Sequence, residues 1–365
     1  AIYRTPCFPA CTPSAGIRLA RRRGVRGCGR RSCSERMSLL GEVAPLVAPL
    51  LGEQALFRLT SSSKELRALQ GLPLDLTGKC ARASEALRVA RVHHTRFLIP
   101  AFTVDQCSQA EWEELCSLPG LVSLTLKGRR NPTVGPTSLP QSSIVSLRLL
   151  EHAGALVRDL THAARCAALE TLVLHGCAAL TDVAPLAAAP RLRCLELRKA
   201  TALTDLAPLC CGAACWRLAS LGLQGCRLLR DVASLGALRA LEELDVSSCV
   251  GLEELSPLGS CGGLRLLRAT GCTKLRCLDG LARCTALRTA YFTGCASLQD
   301  VAPLAECAAL HTLHLGRCSA VRDVSALGRC ASLCVLNLRC SGAVVVPLRE
   351  GLIVEFDVGT TRRYG

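Results

Sequence analysis

Aromatic residues are scarce in this sequence. Phe, Trp and Tyr together make up 3% of the 365 residues, whereas hydrophobic residues make up 50%. The chain can therefore bury a large core, but that core must consist mostly of Leu, Ala, Val and Cys. There is also no run of about 18 consecutive apolar residues, the minimum for a membrane-spanning helix. We therefore expect a soluble protein with a repetitive aliphatic core and no membrane partner.

Cys-x-x-Cys pairs are absent, although the chain contains 25 Cys. Disulfide scaffolds are typical of short secreted chains, and soft metals are usually held by closely paired Cys or by His. Because this chain is long and shows neither such pairs nor an apolar signal segment, we expect reduced thiols and no bound metal. We expect the protein to be cytoplasmic, with the nucleus as the alternative compartment.

The basic charge is concentrated at the start of the chain. Residues 1–36 contain nine Arg and one acidic residue, Glu35, and so carry eight of the fifteen formal positive charges. They precede Met37, the only Met, and we interpret them as a disordered basic leader or as untranslated sequence. An organellar transit peptide is the alternative, although three Pro in this stretch oppose an amphipathic helix. The remaining sequence shows no Arg cluster with interleaved aromatics, so we expect no nucleic-acid partner.

From residue 121 onward the sequence repeats itself. The anchors of ten units are Leu121, Ile144, Leu169, Leu192, Leu218, Leu241, Leu264, Leu287, Leu310 and Leu333, with spacings of 23 residues apart from one of 25 and one of 26. The units follow the pattern Leu-x-x-Leu-x-Leu, and side chains alternate along an extended segment. We therefore expect one short strand per unit, in which positions 1, 4 and 6 face the core and positions 2, 3, 5 and 7 face outward.

Cys and Asp recur at fixed positions of the unit. Position 9 is Cys177, Cys226, Cys249, Cys272, Cys295 and Cys318, and a second set, three residues before the next anchor, is Cys166, Cys215, Cys261, Cys284, Cys307 and Cys330. Because a thiol is small and apolar with a weak donor, we expect both sets in the core, with the position 9 thiols bonding the backbone of the bend. Position 14 is Asp182, Asp205, Asp231, Asp300 and Asp323, where a carboxylate can start a short helical turn.

These features resemble the leucine-rich-repeat superfamily over roughly residues 121–350. The position 9 Cys resembles the cysteine-containing subclass common in F-box proteins, whereas the Asp-Val-x-Pro-Leu segment resembles the shorter repeats of phosphatase-regulator and bacterial-surface types. The resemblance implies an α/β solenoid with a curved parallel sheet on its concave face and short helical or irregular turns on its convex face. Residues 351–365 are then expected to form a C-terminal cap and tail.

Residues 72–120 are expected to form irregular early repeats and a cap. Two strands are predicted near Leu74 and Leu98, because Leu74, Leu98 and Leu124 are spaced by 24 and 26 residues. Ser108 and Glu111 form a Ser-x-x-Glu capping box, which predicts a helix from there to about residue 119.

The segment 37–71 fits a known helical pattern without a gap. Its apolar positions are Leu39, Val43, Val47, Leu51, Leu56, Phe57 and Leu59. This pattern resembles an F-box, although Leu40 stands where the family usually has Pro and Leu66 stands where it often has Trp. The resemblance implies that these apolar residues dock on a Skp1-type adaptor. The alternative is a plain helical cap that shields the first repeat from water.

Charge is sorted along the outward strand positions of the fifth to ninth repeats. The residues concerned are Glu242, Glu243, Asp245, Arg265, Arg268, Arg288, Tyr291, His311 and His314. An acidic strip borders a basic, aromatic strip, an arrangement that would orient a protein target, and Tyr is enriched at binding hot spots. We predict the target site here. The alternative is a solvated face whose charges keep the sheet soluble.

The predicted function is protein–protein interaction. The F-box and repeat resemblances together imply the substrate receptor of an SCF-type cullin-RING ubiquitin ligase, with the adaptor on residues 37–71 and the target on the concave face. The alternative is a leucine-rich-repeat scaffold or regulatory subunit with no ligase association. We expect neither an enzyme nor a cofactor, because the His residues lack a nucleophile or carboxylate in triad-like order and no Gly-rich phosphate loop occurs.

Overall fold

The computed structural model describes residues 73–76, 98–104, 107–116, 121–127, 144–150, 154–155, 157–343, 345–346, 350–356 and 361–364. Within these ranges, 14 strands form a single sheet in chain order. Successive strands pair in parallel, except that the last pairs antiparallel with its neighbour. The expectations for residues 1–36 and for the adaptor residues of segment 37–71 lie outside the described residues.

The strands are short. They are β1 Pro73–Leu76, β2 Leu98–Val104, β3 Ser123–Leu126, β4 Ser146–Leu149, β5 Thr171–His175, β6 Cys194–Arg198, β7 Ser220–Gly222, β8 Glu243–Asp245, β9 Leu266–Arg268, β10 Thr289–Tyr291, β11 Thr312–His314, β12 Val335–Asn337, β13 Leu352–Glu355 and β14 Thr361–Tyr364. Because the chain returns to the same sheet after each repeat, every strand lies beside its sequence neighbours.

Short helices connect the strands. The α-helices are α1 Gln109–Cys116 and α2 Thr161–Arg165, and the 3-10 helices are Ala184–Ala188, Ala207–Cys211, Ala213–Trp216, Ala233–Ala237, Ser256–Ser260, Asp279–Arg283, Ala302–Glu306 and Ser325–Arg329. Helix α2 lies in the 25-residue unit, whereas the 23-residue units leave room for a single tighter turn. None of the helices in the described ranges is long and apolar enough to cross a membrane.

Equivalent residues of adjacent strands lie side by side. From β7 to β11, Leu221, Leu244, Leu267, Ala290 and Leu313 pair in register at position 4 of their repeats. All five are buried, as are the residues at positions 1 and 6 of all ten repeats. The prediction that positions 1, 4 and 6 form the core is confirmed, and this aliphatic ladder is the main hydrophobic stabilisation of the sheet.

Position 7 departs from the predicted alternation. Ser247 is only 6% exposed, and its backbone N–H donates to Oδ1 of Asp245 at 2.9 Å. Gly316 is also buried, whereas Thr270 is exposed. The prediction that position 7 faces outward is therefore wrong for part of the repeats. Strands β7 to β12 end at position 5, so at Ser247 and Gly316 the chain is already turning and no longer alternates.

Position 8 has a left-handed backbone from the third repeat onward. The glycines Gly176, Gly225, Gly271 and Gly294 have φ between 74° and 79°, and the other residues, Lys199, Ser248, Arg317 and Cys340, have φ between 53° and 60°. A left-handed conformation costs a residue other than Gly about 1–2 kcal/mol. Because four such residues still adopt it, the stacked repeats rather than local preference impose the turn. The sequence pattern did not predict this feature.

The position 9 thiols point into the core and bond to the neighbouring repeat. Cys226, Cys249, Cys272, Cys295 and Cys318 donate to the position 6 carbonyl of the preceding repeat, with Sγ–O distances of 3.4, 3.2, 3.1, 3.1 and 3.0 Å. Their predicted burial is confirmed. The predicted acceptor is wrong for these thiols, because it belongs to the adjacent coil rather than to the bend of the same repeat. These bonds therefore join one repeat to the next.

A second ladder of thiols runs behind the 3-10 helices. Cys261, Cys284 and Cys307 donate to a carbonyl in the 3-10 helix of the preceding repeat, at 3.3, 3.3 and 3.1 Å. Burial raises the pKa of the Cys307 thiol to about 12, with the neighbouring thiols adding to the effect. The thiol therefore stays protonated and can donate at neutral pH. None of the cysteines whose side chains are described forms a disulfide bond.

The aspartates at position 14 open the 3-10 helices. Oδ1 of Asp182, Asp205, Asp231, Asp300 and Asp323 accepts the backbone N–H two residues later, at 2.6–2.8 Å. Each bond satisfies a donor at the start of the helix that has no partner within the helix itself. The predicted turn role of these residues is confirmed.

The two early strands form close to the predicted segments, but one register differs. Strand β2 pairs with β3 through Phe102 and Leu124, so the predicted equivalence of Leu98 with Leu124 is wrong. Strand β2 has seven residues, and its second half rather than its first pairs with β3. The spacing of Leu residues alone cannot show which half of a longer strand enters the sheet.

Helix α1 begins at the predicted capping box. The backbone N–H of Ser108 donates to Oε2 of Glu111 at 2.8 Å, and the Glu111 N–H faces the Ser108 hydroxyl oxygen at 3.4 Å. Trp112 and Leu115 are fully buried by this helix. The helix start predicted from the capping box is confirmed, and α1 contributes Trp112 and Leu115 to the hydrophobic core.

We predict that replacing Cys249 with Ser lowers the free energy of unfolding by about 1–3 kcal/mol, because a more polar and shorter group enters a fully buried site. Cys211 is exposed, so Cys211→Ser is the control and should change stability by less than about 0.5 kcal/mol. Urea denaturation measures both. Equal effects, or alkylation of Cys226, Cys249 and Cys272 in the folded protein, would show that the position 9 thiols do not point inward.

Candidate protein-binding face

The residues predicted to bind a target fall on two rows across the same face of the sheet. The position 5 row is Asp245, Arg268, Tyr291 and His314, which pair in register from β8 to β11, and all four are half-buried. The position 2 row is Glu242, Arg265, Arg288 and His311, and all four are exposed. Glu243 lies between the rows at position 3. All nine predicted residues are thus exposed or half-buried, and they lie on four consecutive repeats.

An aromatic and cationic stack runs along the position 5 row. The rings of Tyr291 and His314 lie 4.6 Å apart between centroids, with an interplanar angle of 12°. On the other side, Cζ of Arg268 lies 5.6 Å from the centroid of the Tyr291 ring. These distances are close to the spacing of about 4.8 Å between strands, so the register of the sheet produces the stack. We call Arg268, Tyr291 and His314 the concave stack.

The ionisation of His314 favours stacking. Burial lowers the pKa of its imidazole, against an opposing effect of the Glu355 carboxylate. The ring is therefore neutral at neutral pH and stacks on Tyr291 without a charge to desolvate. The guanidinium of Arg268 supplies the charge of the concave stack, since a cation over a tyrosine ring is attracted to its π-face.

The acidic and basic strips meet at one ion pair. Nη1 of Arg265 lies 3.3 Å from Oε2 of Glu242, and both side chains are about half exposed, at 56% and 48%. Pairs this exposed contribute little stability, on the order of 1 kcal/mol or less. Arg268 and Arg288 form no ion pair with any described residue. Their charges remain available to a carboxylate on a partner.

The position 5 row continues beyond the predicted residues. On β12 and β13, Nδ2 of Asn337 donates to Oε2 of Glu355 at 2.7 Å, and Nη2 of Arg339 lies 3.6 Å from the same oxygen. Asn337 follows the repeat period, so the sequence could have placed it in the row. Glu355 lies 18 residues later on a strand outside the 23-residue period, and no periodic signal identifies it.

A second polar cluster lies on β5 and β6. Nε2 of His175 lies 3.6 Å from Oε1 of Glu196, which also pairs with Nε of Arg198. Burial alone would raise the pKa of Glu196, but His175 and the charge of Arg198 outweigh it, so the pKa is lowered. The carboxylate is thus satisfied within the sheet. The sequence pattern did not single out these residues, because their charges alternate rather than form a strip.

The described ranges contain no group of three or more His, Cys, Asp or Glu side chains placed to hold a metal ion. The concave face presents a flat aromatic surface, two guanidinium groups that form no ion pair with a described residue, and a carboxylate-rich border.

Each coil from the third to the ninth repeat has the same parts: a strand, a left-handed turn, an inward thiol or small residue, and a short helix. The chain has the leucine-rich-repeat fold. No protein-family model matches this leucine-rich-repeat chain, and no curated protein matches it significantly.

Solved structures with a similar fold include internalins of Listeria monocytogenes. Internalin C2 is 21% identical, with a TM-score of 0.39, over 53% of this chain and 73% of its own. The functional domain of InlJ, which includes a cysteine ladder, is 16% identical, with a TM-score of 0.48, over 71% of this chain and 53% of its own. The yeast Rad7 and Elc1 complex matches at 16% identity and a TM-score of 0.47, over 90% of this chain and 96% of its own. All three identities are below 25%, and all three TM-scores are below 0.5.

We predict losses of stability of very different size for the adjacent residues Tyr291 and Phe292. Phe292 is fully buried at position 6, so Phe292→Ala should cost about 3–5 kcal/mol of unfolding free energy. Tyr291 is half-buried at position 5, so Tyr291→Ala should cost only about 1 kcal/mol, mainly the lost ring contacts. Chemical denaturation measures both values. Comparable losses would mean that Tyr291 belongs to the core and is not offered to a partner.

Proposed function

We propose that this leucine-rich-repeat chain holds a protein partner on the concave face of β8–β11. The observation that carries the proposal is the concave stack, in which Tyr291 lies between Arg268 and His314 on an outward face. A soluble protein gains little by stacking rings towards water, whereas tyrosine and arginine are the residues most often found at the energetic centre of interfaces. Pre-ordered side chains also lose less entropy on binding.

The charges on either side of the concave stack fix the orientation of the partner. Arg288 and Arg268 are free of ion pairs among the described residues and would contact acidic groups, whereas Glu243 and Asp245 would contact basic groups on the other flank. A partner docked the wrong way round would place like charges together, which costs more than the correct pairs gain. The face therefore supports a single binding orientation.

We further propose that the partner is the target of a ubiquitin ligase and that the chain is an SCF-type substrate receptor. The F-box-like pattern from Leu39 to Leu59 supports this role, since such a segment would join the repeats to a Skp1-type adaptor. The departures at Leu40 and Leu66 support the alternative, a repeat scaffold or regulatory subunit without ligase association. The two functions share the concave face and differ only in the adaptor.

We predict that reversing three concave charges, with Arg265, Arg268 and Arg288 changed to Glu, lowers recovery of the partner at least about tenfold in affinity purification with mass spectrometry. Association should also become slower and less sensitive to salt, since exposed charges act through steering. The control changes Arg227, Arg230 and Arg322 to Glu, an equal change of charge on exposed residues outside the strands. If the two variants recover the same proteins in the same amounts, the concave face is not the site.

A separate variant tests the ligase role. We predict that the pair Leu56→Ala and Phe57→Ala removes a Skp1-type adaptor from the purified complex, because a truncated apolar anchor commonly costs about 2 kcal/mol or more at an interface. Recovery of the concave-face partner should not change, and that partner is the internal control for folding. Retained adaptor in the double variant, or no adaptor with the natural sequence, would favour the scaffold alternative.

A further inference from the structure

One repeat is longer than its neighbours and carries an exposed tryptophan. The unit that starts at Leu192 has 26 residues, three more than the common period. The additional residues form a second 3-10 helix, Ala213–Trp216, directly after Ala207–Cys211. At its end, Trp216 is 68% exposed, the largest value among the exposed large hydrophobic side chains of the described residues.

The inserted helix is firmly seated, so the position of Trp216 is fixed. Ala214 and Cys215 on its inner side are buried. A Cβ on Gly212 would lie 2.2 Å from the carbonyl oxygen of Ala187, so the backbone here packs directly against the preceding repeat. The backbone N–H of Arg217 and that of Leu218 both donate to the carbonyl of Ala214, at 3.1 and 3.0 Å. The insertion therefore presents the indole from a rigid support.

A groove with three arginines begins at Arg217, the residue directly after Trp216 in the chain. It encloses about 370 Å³ and is lined by Glu170, Pro190, Arg191, Arg193 and Arg217. All three guanidinium groups are exposed and form no ion pair with any described residue. We call this the arginine groove. It lies at the amino-terminal ends of β5 to β7, away from the concave stack on β9 to β11.

The positive charge is specific to this place in the solenoid. The residue directly before the anchor is Arg191 in one unit and Arg217 in the next. Before the other anchors from Leu169 to Leu333, the same slot holds Ala, Gly or Ser. The groove and the inserted tryptophan thus occur together, at the one junction where the period changes by three residues.

We infer that the arginine groove binds an acidic segment of a partner protein, with carboxylates on the arginines and an apolar side chain against Trp216. Charge complementarity decides the partner, because three unpaired guanidinium groups in one groove repel each other until anions are bound. Glu170 forms one wall and would repel a uniformly anionic chain such as a nucleic-acid backbone. A peptide that spaces its acids can avoid that wall.

Selection of random phage-displayed peptides on the full-length chain tests this inference. Peptides that also bind a charge-reversed variant are removed by counter-selection; in that variant Arg191, Arg193 and Arg217 are changed to Glu. We expect the selected peptides to contain at least two Asp or Glu and one apolar residue, and to bind the variant at least about tenfold more weakly. A matched control with Arg239, Arg283 and Arg329 changed to Glu carries the same charge change on exposed residues, and should bind as the natural sequence does.

Tryptophan fluorescence locates the bound peptide. The chain has two Trp, and Trp112 is fully buried, so acrylamide quenching in the folded protein reports Trp216. A selected peptide should shift the emission to the blue and reduce quenching, and Trp216→Ala, which changes an exposed side chain, should weaken binding without unfolding the protein. The inference is overturned if no acidic peptides are enriched, if they bind the reversed variant equally well, or if an oligonucleotide displaces them at equal charge concentration.

The result is independent of the concave face. The variant with Arg265, Arg268 and Arg288 changed to Glu should bind the selected peptides normally, because none of these residues lines the arginine groove. If the natural sequence selects no acidic peptide but still recovers a concave-face partner, the groove inference alone is refuted. If it binds acidic peptides through the groove but the concave-face variant recovers its partner unchanged, the proposed function alone is refuted.

Discussion

Alignment between neighbouring coils is the constraint on which the rest of this solenoid depends, because each repeat can bury its inner face only against the repeats on either side. Backbone pairing sets the alignment along the sheet, and the thiols extend it into the core. A position 9 thiol such as Cys272 donates to the Val246 carbonyl of the preceding coil at 3.1 Å. The same carbonyl accepts the backbone N–H of Cys249 at 3.2 Å, so the thiol supplies a second bond, one that comes from the next coil. The thiol bond is weak, but it is repeated at every junction from Cys226 to Cys318.

The same alignment creates the candidate binding face. One strand of three residues offers only two outward side chains, at positions 3 and 5, which is too little to recognise a protein. Stacked in register, consecutive strands bring Arg268, Tyr291 and His314 within 4.6 to 5.6 Å of their neighbours. The arginine groove accompanies a local change in repeat length, because three extra residues in one coil form the helix that ends at Trp216 while the strands stay paired. A constant repeat length thus aligns the concave stack, and a change in repeat length marks the arginine groove.

Much of the fold could be predicted from the sequence because the repeat samples each position ten times. The inward Leu at positions 1, 4 and 6, the buried thiols and the Asp turns recur and are confirmed. The features that were missed depend on contacts between coils. The acceptor of Cys249 lies 26 residues away in the adjacent repeat, and the left-handed turn at Ser248 has no Gly to mark it. Glu355 joins the position 5 row from β13, which does not follow the 23-residue repeat. The repeat pattern therefore could not assign Glu355 a position in that row.

Site-specific photo-crosslinking tests the binding of a protein on the concave face most directly. A benzoylphenylalanine placed at Tyr291 replaces the central ring of the concave stack, and the same group at exposed Arg322 reports a surface outside the strands. In cells that express the full chain, we predict that irradiation yields a discrete crosslinked protein from position 291 and none of that species from position 322. The same product from both positions, or from position 322 alone, would contradict a partner held on the concave face.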